Sequence, residues 1–391
     1  MDVWGLRREQ IRQAIAWACG IFLALVLLAP VLAQRDTKRA PSGWQIGPRT
    51  RLQAGSWRRP VDAPILTPDP SAVFRDPIRR QMVHWEANAT FNPAAVVRHG
   101  KVYILYRAED DTGLQAIGGH TSRLGLAWSR DGIHFTRDPE PVFYPANDAQ
   151  KSREWPGGVE DPRIVEAPGG LYVLTYTQWN RKVTDIGLAT SHDLRHWTKY
   201  GPIFPHRLGP AFESYKSGGI VTRLDHGRLV AAKIHGRYWM YWGEKIIHLA
   251  WSPDLIHWTP VMNPQGDALV LLQHRPGHFD SGFPEVGPPP LLTPKGIVLF
   301  YNGKNASQHG DSALGSGAYS TGQALFQTSN PGRLLARSTE PFLKPERPYE
   351  KTGQYGAGTT FAEGLVFFHH RWFLYYGCAD SRVGVVEAAQ R

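Results

Sequence analysis

A seven-residue motif that occurs three times constrains the fold of this chain more than any other feature. The copies read Ser129-Arg-Asp-Gly-Ile-His-Phe135, Ser191-His-Asp-Leu-Arg-His-Trp197 and Ser252-Pro-Asp-Leu-Ile-His-Trp258. They start at residues 129, 191 and 252, which places them 62 and 61 residues apart. Self-similarity at such a fixed spacing predicts stacked or radially arranged supersecondary units instead of one irregular globule.

Each copy of the motif belongs to a larger repeat that has the composition of β-strands. A short apolar strand precedes each copy, at residues 124–127, 186–189 and 247–250. Before it comes a strand of aromatic and β-branched residues, which occurs five times, at residues 102–107, 171–176, 238–242, 296–301 and 372–376. No useful helical periodicity follows residue 35, and 40 Gly with 31 Pro indicate many turns. Five units of about four strands each predict an all-β, five-bladed β-propeller over residues 56–391.

The two ends of this domain are expected to close the ring of units. The fifth unit stops near Val386, before its copy of the motif. We therefore expect the segment around Ile65 and Leu66 to supply the missing outer strand. Such a closure leaves no long free sheet edge.

The Ser, Asp and His residues of the repeated motif are better explained by a turn than by catalysis. Ser and Asp side chains favour tight turns because they bond to nearby backbone groups. We expect the His and the final aromatic residue to pack between neighbouring units. A functional site needs residues that converge on one place, whereas a repeat distributes its copies around the ring.

The first 33 residues are predicted to be a hydrophobic targeting helix. Three arginines precede an apolar run at residues 14–33, which ends in the small-residue pattern Ala29-Pro-Val-Leu-Ala33. This pattern predicts a signal peptide cleaved before Gln34, and therefore an exported, periplasmic or extracellular protein. The alternative is an uncleaved membrane anchor, because 20 apolar residues are just long enough to span a bilayer. Residues 34–55 are predicted to be a polar linker.

Cysteine content and charge exclude several classes of function. Cys19 lies in the targeting segment, so Cys378 has no partner for an intramolecular disulfide, and no Cys-rich metal site exists. We predict neither a metal nor a cofactor. The net charge is +10, but the Lys and Arg residues are scattered, and an exported protein rarely meets nucleic acid. The charge is therefore interpreted as solvated surface with a few site residues.

A propeller is expected to collect its active residues on the innermost strands, at one mouth of the central channel. These strands start in the segments 88–93, 158–163, 215–219, 283–290 and 360–364. They bring Asp161, Glu285 and Glu363 into one predicted funnel, and we expect these three to be the catalytic residues. Carboxylates that face one another near aromatic rings suit carbohydrate, since they serve as acid and base on a glycosidic bond. Clustered carboxylates also raise one another's pKa, so one should stay protonated near neutral pH and act as the acid.

Several segments in fixed order carry a resemblance to a known family. They are 91–94 (Phe-Asn-Pro-Ala), 105–110 (Leu-Tyr-Arg-Ala-Glu-Asp), 122–125 (Ser-Arg-Leu-Gly), 158–163 (Gly-Val-Glu-Asp-Pro-Arg), 287–290 (Gly-Pro-Pro-Pro), 345–346, 349–350 and 375–380 (Tyr-Tyr-Gly-Cys-Ala-Asp). Through nearly the whole mature chain, the sequence resembles family 130 of the glycoside hydrolases, which contains β-mannoside phosphorylases and β-mannosidases.

The resemblance implies an inverting, five-bladed propeller enzyme that acts on an oligosaccharide or glycan. It implies that Asp161 is the catalytic acid, and that in phosphorylases this residue delivers its proton through a hydroxyl of the bound sugar. Arg107 and Arg123 match family arginines near the site, and Lys216 and Lys233 fall where the family carries basic residues. The predicted substrate-binding residues are Asn92, Arg107, Asp110, Arg123, Arg163, Trp179, Lys216, Lys233, Glu244, Tyr301, Asn302 and Asp380.

Two departures from the family pattern favour hydrolysis of β-mannosides or related glycans. Where phosphorylases typically have Leu-His-Arg, this chain reads Trp239-Met-Tyr-Trp-Gly-Glu244, and their Tyr-His-Gly is here Tyr301-Asn302-Gly303. Two phosphate ligands are thus missing, and a phosphate dianion needs cationic, multidentate donors. The expected general bases are Glu285, Glu363 and Glu244, in that order.

Three alternatives remain open. The first is a phosphate-dependent β-mannoside phosphorylase, with an anion site built from the remaining arginines and lysines. The second is the group of five-bladed arabinanases and β-xylosidases, which usually have a catalytic Asp at the place that Asn92 occupies here. The third is a sugar-binding propeller without catalysis, which would not need the acid at Asp161.

Overall fold

The computed structural model describes residues 44–46, 52–54, 57–114, 116–204, 212 and 214–389, and β-strands dominate this part of the chain. The helices with described bounds are one α-helical turn, α1 (Lys151–Glu154), and one 3₁₀ turn (Pro348–Glu350), and Phe212 also has 3₁₀ conformation. The expected targeting helix at residues 1–33 lies outside the described residues. Within them, no helix is long and apolar enough to cross a membrane.

The strands are numbered in chain order. They are β1 (Trp44–Ile46), β2 (Leu52–Ala54), β3 (Phe74–Arg75), β4 (Met82–Val83), β5 (Ala89–Arg98), β6 (Lys101–Glu109), β7 (Ser122–Ser129), β8 (Thr136–Arg137), β9 (Gly158–Glu166), β10 (Tyr172–Trp179), β11 (Thr184–Ser191), β12 (Thr198–Pro202), β13 (Gly218–Ile220), β14 (Thr222–Asp225), β15 (Arg228–Ala231), β16 (Lys233–Ile234), β17 (Arg237–Trp242), β18 (His248–Ser252), β19 (Thr259–Pro260), β20 (Phe283–Val286), β21 (Leu291–Thr293), β22 (Gly296–Lys304), β23 (Tyr319–Gln327), β24 (Asn330–Arg337), β25 (Thr360–Phe368), β26 (Arg371–Cys378) and β27 (Arg382–Ala389).

Five antiparallel meanders account for nearly all of these strands, and we number them as units 1 to 5. Unit 1 is β5–β8, unit 2 is β9–β12, unit 3 is β13–β19, unit 4 is β20–β24 and unit 5 is β25–β27. In unit 3 the first strand is split into β13 and β16, which both pair with β17, and the small hairpin β14–β15 lies between them in the chain. In unit 4 the first strand is split into β20 and β21 by Gly287-Pro-Pro-Pro290, because three prolines provide no N–H for the ladder.

Unit 5 takes its outer edge from the beginning of the domain. The Ile65 amide donates to the carbonyl of Val383 at 2.8 Å, and the Val383 amide donates to Leu66 at 3.1 Å. Farther along β27, Arg58 forms a second antiparallel bridge with Glu387. The predicted outer strand at Ile65 and Leu66 is thereby confirmed, and the edge of β27 is covered.

Apolar packing links the units in cyclic order. Five buried clusters each combine residues of two successive units: Leu105 with Leu174, Val173 with Met240, Tyr241 with Ile297, Phe300 with Leu374, and Phe373 with Ile104. The last cluster joins unit 5 back to unit 1. This cyclic order is consistent with the predicted five-bladed propeller.

The repeated motif forms the same turn in all three copies. The carboxylate of Asp131 accepts the amides of residues 133 and 134 and lies 2.7 Å from Nδ1 of His134. The expectation that this histidine packs between units was wrong, since the His134 side chain is 83% exposed and the other two copies are similarly exposed. The Asp carboxylate holds the imidazole at the surface, whereas the final aromatic residue packs inward, as Trp258 does.

We predict that Leu66 is required for the stability of unit 5. Leu66 is buried in the cluster that joins units 5 and 1, so Leu66→Ala should lower the free energy of unfolding by about 2–4 kcal/mol. Leu335, which is 47% exposed on β24, provides the control, and Leu335→Ala should change stability by less than about 0.5 kcal/mol. Urea denaturation measures both. Equal effects of the two substitutions would show that unit 5 does not depend on this segment.

Candidate active site

Register shifts in three inner strands interrupt the alternation of side chains between the two faces of the sheet, and each shift occurs at a polar residue. The ladders of β5, β9 and β25 each shift register, at Asn92, at Asp161 and at Glu363. Asn92 and Asp161 have left-handed backbone, with φ of 46° and 47°. A proline follows each of these two residues and cannot donate to the ladder, so the strand bulges and redirects the side chain before it.

A cavity of about 420 Å³ collects residues of all five units. Its size is that of a small-ligand site, about 300–1,000 Å³. Eight of the predicted site residues line it: Asn92, Arg107, Asp161, Trp179, Lys216, Glu244, Glu285 and Asp380. Aromatic rings complete the wall, at Phe91, Tyr319, Tyr355 and Phe361. Among the residues described, no group of three or more His, Cys, Asp or Glu side chains could hold a metal ion.

Asp161 is a buried carboxylate that is held by three donors. Its Oδ1 accepts hydrogen bonds from Asn92 Nδ2 at 2.8 Å and from Arg107 Nη1 at 3.1 Å, and its Oδ2 lies 3.3 Å from Lys216 Nζ. Burial by itself raises the pKa of Asp161, but the charges of Lys216 and Arg107 outweigh burial and hold it well below its usual range. Asp161 is therefore ionised when the cavity is empty of substrate.

The Lys216 ammonium links three carboxylates across the cavity. Its Nζ lies 3.3 Å from Asp161, 3.4 Å from Glu285 and 3.8 Å from Glu244. Burial lowers the pKa of Lys216, but these carboxylates outweigh it and raise the pKa well above its ordinary value. Lys216 thus stays protonated and brings the carboxylates of Asp161 and Glu285 to the same ammonium.

Glu285 has the properties of a general base that operates near neutral pH. Its Oε1 accepts a 2.5 Å hydrogen bond from Ser217 Oγ, whereas its Oε2 is buried and accepts none from the described residues. Burial raises the pKa of Glu285 to about 7, with the charge of Glu244 adding to the effect and that of Lys216 opposing it. A base is most effective when its pKa lies near the working pH.

A second group of carboxyls surrounds Arg107. Its guanidinium contacts Glu109 at 2.6 Å, Glu160 at 2.8 Å and Asp161 at 3.1 Å. Burial raises the pKa of Glu160 to about 7 and that of Asp380 to about 6. The carboxyl that stays protonated near neutral pH is therefore one of these or Glu285. Asp161, which charge repulsion between carboxylates had led us to expect as the protonated group, is ionised.

Three residues predicted to bind substrate lie elsewhere. Arg123 and Asp110 form a buried ion pair with each other at 2.8 Å, and Arg123 also contacts Asp76. The Arg123 guanidinium is therefore occupied by two buried carboxylates, and neither Arg123 nor Asp110 lines the cavity. Lys233 is exposed on β16, where its ammonium lies 4.9 Å from the ring of Tyr238.

Two further predicted residues of unit 4 are used for structure. The Tyr301 hydroxyl donates to Asp280 at 2.7 Å and accepts from Arg337 at 3.0 Å. Asn302 binds both the carbonyl and the amide of Ala362, at 3.0 and 2.9 Å, and so joins unit 4 to unit 5. Both residues are fully buried outside the cavity wall.

Arg163 and Glu363 also lie behind the cavity wall. They form a buried ion pair, with Arg163 Nη2 2.9 Å from Glu363 Oε1. Burial raises the pKa of Glu363 well above its ordinary value. Glu363 was predicted to be catalytic, but its side chain is fully buried and does not line the cavity, because the ion pair draws it toward unit 2.

Sequence reasoning missed Lys304 and the aromatic residues beside it. The Lys304 ammonium lies 5.4 Å from the rings of Phe283 and Tyr319 and 5.6 Å from that of Tyr355. A signal for Lys304 existed: it ends the second strand of unit 4, just as Trp179 ends that of unit 2. Tyr355 lies in a long loop, for which strand periodicity gave no position.

The fold and this cavity define a glycoside-processing enzyme. Its family model, described as beta-1,4-mannooligosaccharide phosphorylase, matches residues 59–391. A 1,2-beta-oligomannan phosphorylase of Thermoanaerobacter sp. (strain X514) is 30% identical over 331 residues, 84% of this chain and 95% of the relative. The chain belongs to glycoside hydrolase family 130, which confirms the resemblance seen in the sequence.

Two solved structures are more similar in sequence. A glycosyl hydrolase from Bacteroides ovatus is 49% identical with a TM-score of 0.83, over 86% of this chain and 94% of that chain. A second is 50% identical with a TM-score of 0.84, over 86% and 94% of the two chains. The description of this second structure says that the family of mannoside phosphorylases "contains glycoside hydrolases that target beta-1,2 mannosidic linkages in Candida mannan".

The raised pKa of Glu285 predicts a stability cost at high pH. The folded protein keeps this proton up to about pH 7, whereas the unfolded chain loses it near pH 4.5, so stability from this group is lost as pH rises through that interval. Glu285→Gln has no such loss. Between pH 5 and pH 8 the variant should therefore gain stability relative to wild type, by roughly 2–4 kcal/mol at about 1.4 kcal/mol per pKa unit.

Urea denaturation at the two pH values measures this difference. The exposed Glu340 provides a control, since a surface substitution such as Glu340→Gln should shift stability by less than about 0.5 kcal/mol at either pH. A Glu285→Gln difference that is the same at pH 5 and pH 8 would contradict the raised pKa.

Proposed function

We propose that this protein is an inverting glycosidase that hydrolyses β-mannosidic bonds, with Glu285 as general base and Asp161 as general acid. The observation that carries the proposal is the contact of one ammonium, on Lys216, with the carboxylates of both residues. Two carboxylates that share one cation lie close enough to act on the same glycosidic bond.

The charges of the cavity favour water over phosphate as the acceptor. Arg107 and Lys216 each contact three carboxylates, and the ammonium of Lys304 faces aromatic rings. A phosphate dianion needs several cationic donors that are not already paired. The Glu244 carboxylate, which replaces an expected phosphate ligand, adds repulsion in the same space.

In this reaction Glu285 removes a proton from water, which attacks the anomeric carbon as the glycosidic bond breaks. Its pKa of about 7 suits this role. Asp161 must carry a proton when substrate is bound, and it is ionised without substrate. A sugar that fills the cavity excludes water from Asp161, and exclusion of water favours the neutral carboxyl. The proton then passes to the leaving oxygen, directly or through a sugar hydroxyl.

Phosphorolysis is the second candidate, and the names of the curated relatives favour it. The oligomannan relative from Thermoanaerobacter and the family model are both described as phosphorylases. The solved structure at 50% identity, whose description refers to hydrolases of β-1,2-mannosidic linkages, supports hydrolysis. On the basis of that description, we propose that this chain cleaves β-1,2-mannosidic bonds.

The remaining features of the proposal concern the fold and its location. We propose that the five units are the blades of a five-bladed propeller, supported by the cyclic order of the apolar clusters. We further propose that residues 1–33 export the protein, on the pattern of arginines, apolar run and small residues. Phosphorolysis saves energy only where the sugar phosphate enters metabolism, so export also favours hydrolysis.

An assay with β-1,2-mannobiose tests the acceptor directly. We expect the protein to release free mannose in phosphate-free buffer, with no increase in rate when millimolar phosphate is added. Asp161→Asn and Glu285→Gln should each lower kcat by about 10³-fold or more, since each removes a group that acts in the transition state. The exposed Glu140 provides a control, and Glu140→Gln should retain wild-type turnover.

Two results would overturn the proposal in different ways. Formation of mannose 1-phosphate that saturates with phosphate would establish the phosphorylase. Binding of the disaccharide without turnover would instead indicate a sugar-binding protein.

A further inference from the structure

The Arg163 guanidinium connects the two strands that carry the proposed acid and base. Its Nη1 donates to the Asp161 carbonyl at 2.9 Å, on the inner strand of unit 2. Its Nη2 and Nε donate to the carbonyls of Val286 and Gly287, at 2.8 and 3.1 Å, directly after Glu285 in unit 4. One planar group therefore sets the spacing between the backbone at Asp161 and the backbone beside Glu285.

The backbone at Asp161 needs this support. Its φ of 47° is a left-handed conformation that costs a residue other than glycine about 1–3 kcal/mol unless its surroundings stabilise it. The register shift of β9 leaves the Asp161 carbonyl outside the ladder with β10, where Arg163 Nη1 binds it. The direction of the Asp161 carboxylate thus depends on this side chain two residues later.

Glu363 contacts the guanidinium from a third strand. It lies at the register shift of β25 in unit 5, and its Oε1 is 2.9 Å from Arg163 Nη2. Apart from this ion pair, neither oxygen of Glu363 has a hydrogen-bond partner among the described residues. The pair is buried on both sides, with side-chain exposures of 1% and 0%, so solvent does not compete for it.

We propose that Arg163 is the positioning residue that holds the acid Asp161 and the base Glu285 at their working separation, with Glu363 orienting its guanidinium. This inference rests on the proposed glycosidase function. It assigns Glu363 a place behind the site instead of a proton-transfer role in it.

Charge gives this arrangement a second effect that experiments can separate from packing. The positive charge of Arg163 lowers the pKa of both Asp161 and Glu285, against the raising effect of burial. The titratable and charged groups that face these two carboxylates are Asn92-linked Arg107, Glu160 and Asp380 around Asp161, and Lys216, Glu244, Glu363 and Tyr319 toward Glu285. Glu363, whose pKa the charge of Arg163 also lowers, responds to the loss of that charge together with Asp161 and Glu285.

Arg163→Lys tests the positioning role. Lysine keeps the charge but cannot reach three carbonyls with a fixed planar fork. We expect kcat toward β-1,2-mannobiose to fall about tenfold or more, with a smaller change in KM, because small displacements of catalytic groups slow the chemical step most. The pH dependence of kcat/KM should stay at that of wild type.

Arg163→Met tests the electrostatic role, because it removes the charge as well. The pKa of Asp161 and of Glu285 should rise, so the kcat/KM profile should move to higher pH. The folded variant should keep these carboxyl protons up to a higher pH than wild type does. Its free energy of unfolding should therefore continue to fall, as pH rises, at pH values where that of wild type has become constant. Urea denaturation measures this second effect without any substrate.

Glu363→Gln and Glu350→Gln form a matched pair. Glu350 is also a fully buried carboxylate bonded to an arginine, with Arg59 Nε 2.7 Å away, but its side chain does not line the cavity. Glutamine at 363 still offers an oxygen to Arg163, so most of kcat should remain. Glu350→Gln should lower stability and leave kcat and the pH profile unchanged.

The outcomes separate this proposal from its alternatives. Loss of turnover in Glu363→Gln on the scale of Glu285→Gln would make Glu363 catalytic and overturn the positioning role. Arg163 variants that lose only stability, with wild-type kcat and pH profile per folded molecule, would reduce Arg163 to a packing residue. A wild-type protein inactive on mannosides would refute the proposed function, and the pH dependence of unfolding of Arg163→Met would still test the charge coupling.

Discussion

The site depends on the compensation of buried carboxylates by a few cations. Asp161, Glu160, Glu285 and Glu363 are all nearly or fully removed from water, which is a large cost for an isolated charge. Each of them lies beside Arg107, Arg163 or Lys216. Because there are more carboxyls than cations, the protein keeps some carboxyls protonated instead of charged. The same imbalance that destabilises the fold provides the protons and proton acceptors that glycosidic bond cleavage requires.

The all-β class and the number of units followed from the sequence because they depend on local repetition. The aromatic strands and the turn motif recur, and each encodes the same pairing through residues close in sequence. The outer strand at Ile65 and Leu66 was also predictable, because the fifth repeat was visibly incomplete. The exposed position of His134 was not, since a spacing rule cannot tell whether an imidazole bonds to its own turn or packs against a neighbour.

Within the site, the sequence predicted residues correctly where they lie near the start of an inner strand. It did not predict which of several possible partners a buried side chain contacts. Asp161, Lys216 and Glu285 follow from their place on these strands. Arg123 on β7 and Tyr301 on β22 were also predicted to bind substrate, yet each contacts a buried acid instead, Asp76 or Asp280. Such choices are decided by residues distant in sequence, and one sequence does not reveal them. Tyr355 reaches the cavity through a loop, which has no periodicity to read.

The pairing of residues 58–66 with β27 has a consequence for how the molecule is made. The first and last parts of the domain form one sheet, separated by more than 300 residues of chain. Unit 5 therefore stays incomplete, with an open edge, until both ends are present. Contacts between such distant segments form slowly, because the ordering of the intervening chain must come first. A ribosome-bound chain consequently lacks its finished cavity until its last strand has been synthesised and has paired with residues 58–66.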